Sequence, residues 1–156
     1  MNDFIKAVLF AALIAGILDL SSAYVDVYIR TGNFASKMLN YIAGATLGLE
    51  TTMKGGMGVQ ILGLCTHFFL AFSYTLIFFL IYPKLHLLQY NKYLVGFIYG
   101  FLVGMFMTFV VLPLTRLPHS PFNIYKALKA WLILAFMLGT PISILAHRYY
   151  STHVHE

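Results

Sequence analysis

Three long intervals of this chain carry no Asp, Glu, Lys or Arg. They run between Lys54 and Lys84, between Lys92 and Arg116, and between Lys129 and Arg148. The hydrocarbon core of a bilayer is about 30 Å thick, so a spanning helix needs about 20 mostly apolar residues. Lipid offers no hydrogen bonds, so the backbone must satisfy itself within the helix. These intervals therefore predict spans at about residues 60–82, 93–114 and 127–148. The apolar part of the last is short, from Ala130 to Ala146, and Lys126 and Lys129 can snorkel from its first turns.

The first span, about residues 4–28, is interrupted. Ala7 to Leu18 is unbroken, Asp19 follows, and Leu20 to Val25 lead to Asp26. A cleaved leader would use Lys6 as its basic flank and Ser21 and Ala23 before the cut. Asp3 weakens that basic flank, and the pattern stays helical into Asp26, so a retained helix is the preferred reading. The expected fold is all-α: one integral membrane domain over residues 1–156, a four-span up-down-up-down bundle with a short amphipathic helix in the first loop.

Composition agrees. Hydrophobic residues make up 60% and charged ones only 10%, against about 25% charged in soluble domains. Disorder requires the opposite balance, and the single Cys excludes an internal disulfide. The net charge of +5 is spread along the chain, without the basic face that nucleic acid would require. Membrane lipid is the implied partner, with a second copy or another membrane protein as the protein alternatives. Tyr24, Tyr28, Tyr82, Tyr90, Tyr93, Tyr125, Trp131, Tyr149 and Tyr150 sit at span ends, where aromatic belts form. Pro83 stops the second span, and Ser120-Pro121 reads as a start signal for the fourth. The terminal side holds Lys6, Lys84, Lys92 and Arg148, against Arg30, Lys37, Lys54, Arg116, Lys126 and Lys129 opposite. That small excess leans towards termini outside.

In the first loop Phe34, Met38, Ile42, Ala45 and Leu49 recur at helical spacing, with Lys37 and Asn40 off that face. This predicts a helix on the membrane surface, with a lid over a cavity as the alternative. Lys54-Gly55-Gly56-Met57-Gly58 lacks the spacing of a phosphate loop.

Lipid gives helices no hydrophobic reason to associate, so small residues that permit close approach mark the contacts. Gly96, Gly100, Gly104 and Thr108 form one ridge, and Ala135, Gly139 and Ser143 form another, continuing to His147. Gly63, His67, Ala71 and Thr75 give a third. Ala12, Ala15, Gly16, Asp19, Ser22, Ala23 and Asp26 share a face of the first span. Small residues should face inward and bulky ones lipid. Pro141 cannot donate to the carbonyl of Met137, which predicts a kink or an open carbonyl there.

Asp19 precedes Asp26 by seven residues, and His67 follows Gln60 by seven on the antiparallel span. At 1.5 Å per residue both lie about 10 Å below one surface, level with Thr108 and Met137. An intramembrane carboxylate costs about 2.5–3.5 kcal/mol on insertion scales, so it needs a partner or a polar cavity. Asp19 and His67 are expected to face inward within direct or water-bridged hydrogen-bond reach, with Thr108 nearby. One reading is a clasp that fixes helix register; the other is a site that handles a proton or ligand.

Cys65 and His67 point apart on a helix, and the thiol is expected to be buried and inert. Met105, Met107 and Met137 read as packing rather than as copper or haem ligands, and His147, His153 and His155 as a tail. No metal or cofactor is implied, and no catalytic constellation is present. The balance favours a non-enzymatic binding, transport-accessory or assembly module. An intramembrane enzyme or redox component acting on a lipid-soluble substrate is one alternative; an oligomeric proton-coupled channel or carrier is the other.

Ala15-Gly16-Ile17-Leu18-Asp19, Thr66-His67, Tyr82-Pro83-Lys84-Leu85, Val111-Leu112-Pro113-Leu114, Pro118 and Pro121-Phe122 together resemble the YagU-like family. The resemblance spans most of the chain. It implies a multi-pass protein of the bacterial inner membrane and gives no residue a catalytic role.

Overall fold

A computed structural model describes residues 3–33, 35–118 and 121–153, and places no strand among them. Four helices are long and apolar enough to cross a membrane: α1 (Asp3–Thr31), α4 (Met57–Ile81), α5 (Lys92–Leu114) and α6 (Ile124–Thr152). Two short helices, α2 (Met38–Leu47) and α3 (Leu49–Thr52), fill the first loop. Phe34, Ser120 and His155 lie outside the described residues.

Local chemistry sets the helix ends. Gly32 closes α1 at φ +68°, with its N–H on the Tyr28 carbonyl at 2.8 Å. The Asn91 side chain caps α5 by accepting from Tyr93 N at 2.9 Å. Pro121 is not helical; α6 begins three residues later, capped by the Asn123 side chain on Lys126 N at 3.1 Å. An Asn with extended backbone meets the capping requirement there, which corrects the Ser120-Pro121 reading.

Both prolines inside spans leave the same mark. A π-helical turn over Met107–Val111 precedes Pro113, and another over Ala135–Gly139 precedes Pro141. A wide turn makes room for the ring and relocates the carbonyls that lost a donor. Thr140 Oγ1 donates to the Ala135 carbonyl at 2.9 Å, beside the Thr140 backbone N–H that the same carbonyl accepts.

The tightest seam joins α5 to α6. A Cβ on Gly96 would meet Thr140 Cα at 2.7 Å and Ser143 Cβ at 2.8 Å, and one on Gly100 would meet Ala135 Cα at 2.7 Å. A Cβ on Gly139 would run into the Gly96 carbonyl, and one on Gly104 would meet Trp131 Cα at 2.9 Å. Ser143 is buried with its hydroxyl unpartnered, so it serves the seam by its small size. α1 packs on both α4 and α6. α4 and α5 meet instead through long side chains: Tyr99 donates to the Tyr74 carbonyl at 2.6 Å, and the Phe78 and Tyr99 rings lie 4.5 Å apart.

The two ends of the bundle differ. At the terminal end Tyr82, Phe78, Phe79, Ile142 and Val8 are fully buried. Tyr150 donates to the Phe79 carbonyl at 2.7 Å and stacks on Tyr82 at 5.5 Å. Small-inside packing therefore fails there, because large rings fill the space between α4 and α6. At the loop end α2 packs on α4, with Gly63 bare against the Leu39 carbonyl. Its buried face is Asn40, Ala43 and Gly44, not the apolar stripe read from the spacing. Asn40 Nδ2 donates to the carbonyls of Thr52 at 2.7 Å and Gly55 at 2.9 Å, a demand that rolls the helix inward.

A methyl group at Gly139 should destabilise the bundle by about 1–3 kcal/mol, the usual range for overpacking. Gly58→Ala, with nothing within 4 Å of the added carbon, is the control. Thermal unfolding in detergent checks this: a lower midpoint for Gly139→Ala alone is expected, and equal midpoints would contradict the seam.

Candidate functional site

At the loop end residues of all four spans line an open-sided cavity of about 350 Å³. Asp19 and His67 both line it, each half-buried, with Asp26 and Arg30 towards the exposed end of α1. The walls are largely apolar: Leu70, Tyr74, Met107, Ile133, Leu134 and Leu138, with Met38 contributed by α2.

His67 faces α1 at Gly16. The imidazole Nε2 lies 2.9 Å from the Gly16 carbonyl. A carbonyl can only accept, so Nε2 carries the proton. A Cβ on residue 16 would meet the Phe68 ring at 2.7 Å, so the bare glycine admits that ring of α4. With Nε2 committed, Nδ1 of the neutral ring is left as an acceptor.

Asp19 and His67 line the same cavity from α1 and α4. Of the direct or water-bridged contact expected between them, the direct form is not made: His67 Nε2 lies against the Gly16 carbonyl instead. Thr108 is not part of the cavity lining. Its hydroxyl donates to the Gly104 carbonyl at 3.0 Å and accepts from Trp131 Nε1 at 2.9 Å, so it locks α5 to α6. Equal depth did not bring it to the site, because its position on the glycine ridge turns it towards Trp131. Met137 is exposed on the outer side of α6. Cys65 is exposed as well, which corrects the buried-thiol reading: turning His67 inward turns a residue two positions away outward.

Sequence reasoning missed the mouth. Asp26 pairs with Arg30 one turn on, at 2.9 Å, and with Lys129 of α6. The signal was present, because Asp26 ends the first span and Lys129 opens the fourth on the same side. Among the described residues no group of three or more His, Cys, Asp and Glu could hold a metal ion.

No family model, no curated protein and no solved structure matches the chain.

The imidazole geometry gives a direct spectroscopic expectation. In ¹⁵N spectra His67 should carry its neutral-state proton on Nε2, and Gly16→Val should remove that signature by forcing α4 away. An Nδ1–H tautomer in the wild type would contradict the assignment.

Proposed function

We propose that the protein is a non-enzymatic binding module of a multi-pass membrane protein. Its ligand is a small amphipathic molecule held within the bundle at the level of Asp19 and His67. The observation that carries this reading is a cavity with largely apolar walls that Asp19 and His67 line within the spans, with Asp26 and Arg30 towards its outer end. A volume near 350 Å³ falls in the range of small-molecule sites, about 300–1,000 Å³. Apolar walls with a few converging polar groups are the usual composition of such sites. The ligand's polar group would meet the Asp19 carboxylate and the Nδ1 lone pair of His67, and its apolar body would lie along Leu70, Leu134 and Leu138.

Conduction through a single chain is the weaker reading. The fully buried rings of Phe78, Phe79 and Tyr82 fill the terminal end. Tyr74 donates its hydroxyl to Met107 Sδ at 2.9 Å, which places a poor proton carrier above the cavity. The resemblance to the YagU-like family, and with it a bacterial inner-membrane location, forms part of the same proposal.

Protein purified in mild detergent and extracted into organic solvent should release a small amphipathic molecule at about one per chain, read by mass spectrometry. Ala23→Trp, which fills the cavity, should abolish retention, and Asp19→Asn should weaken it on the order of tenfold, the loss of one charge-assisted contact. Identical extracts from wild type and a folded Ala23→Trp would refute the reading.

A further inference from the structure

A second hollow, about 230 Å³, lies beside the cavity and shares Asp26, Arg30, Ala130 and Ile133 with it; Lys126 and Lys129 complete its lining. Three cations here face one carboxylate, so two positive charges are uncompensated. Asp26 is committed to Arg30 Nε and to Lys129 Nζ. The Lys126 ammonium makes no ion pair among the described residues. Arg30 closes the last turn of α1, and Lys126 and Lys129 stand in the first turns of α6. All three therefore lie where a spanning helix meets the headgroups.

A shallow, open trough lined by α6 alone runs from Lys129 and Ile133 past Leu132, Phe136 and Met137. Phe136 is 57% exposed, so this surface is presented to the hydrocarbon. A cationic cup at headgroup depth above an apolar trough matches the two parts of a single lipid. Basic pockets between spanning helices bind anionic headgroups by this combination of charge and depth.

We propose that Arg30, Lys126 and Lys129 bind the phosphate of an anionic phospholipid whose acyl chain lies in the α6 trough. Asp26 keeps two of the cations in place and discriminates against excess negative charge. A zwitterionic lipid is disfavoured because its choline returns a positive charge to the cup. Free phosphate lacks the chain that the trough would hold.

Native mass spectrometry of the full chain tests this with phosphatidylglycerol and phosphatidylcholine of matched acyl chains, and with inorganic phosphate. Phosphatidylglycerol should bind on the order of fivefold more tightly than phosphatidylcholine, the contribution of about one basic group near an anionic headgroup. Lys126→Gln, an exposed side chain without a fold contact, should erase that preference; Lys84→Gln at the opposite end should leave it intact. Arg30→Gln should lower it as well. Equal binding of the two lipids by the wild type would overturn the proposal. So would a preference that survives both Lys126→Gln and Arg30→Gln. Displacement of phosphatidylglycerol by millimolar inorganic phosphate would assign the cup to a free anion and overturn the lipid.

Discussion

Backbone contact between α5 and α6 is the constraint on which the remaining geometry depends. Gly96, Gly100 and Gly139 remove the side chains that would hold the two helices apart. With that pair closed, α1 settles against α6 on one side and α4 on the other. The separation between α4 and α5 must then be filled by long side chains. Rings fill it at the terminal end, where Phe78, Tyr82 and Tyr99 converge. At the loop end Tyr74 and Met107 bridge the two helices through one hydrogen bond at 2.9 Å, and a cavity lies beside them. The sealed end and the hollow end therefore have one cause, the unequal distribution of large residues along four helices of similar length.

Polar groups follow from the same geometry. A carboxylate in a spanning helix is tolerated where it faces protein, a cavity or water. Asp19 faces the cavity, and Asp26, two turns nearer the surface, faces cations from two helices. The imidazole of His67 reaches across to the Gly16 carbonyl of α1, and the neighbouring Phe68 ring packs where residue 16 has no side chain. One glycine thus sets both the approach of α4 and the protonation pattern of the only histidine in the cavity lining.

Much of this was legible in the sequence, for identifiable reasons. Charge-free intervals located the spans, because a bilayer leaves few alternatives to a helix. Four-residue spacing of Gly96, Gly100 and Gly104 identified the seam, because close approach requires small residues in register. Cost and depth singled out Asp19 and His67, which both line the loop-end cavity half-buried. What escaped depended on partners that depth alone does not specify. Thr108 was drawn to Trp131, the His67 N–H to a main-chain carbonyl, and Asn40 to the carbonyls of Thr52 and Gly55. A helical-wheel reading of α2 placed Asn40 outside because it ranked the residue by hydropathy, whereas two unsatisfied carbonyls ranked it by hydrogen bonding.

The central claim is that the interior beside Asp19 is a polar-accessible cavity rather than a packed core or a lipid-facing surface. Thiol modification in a Cys65→Ser background measures this directly. A small hydrophilic methanethiosulfonate should label Ala23→Cys rapidly in reconstituted vesicles. Ile17→Cys, on the exposed outer side of α1, should be protected by hydrocarbon. Protection of both positions, or faster labelling at residue 17, would contradict the account.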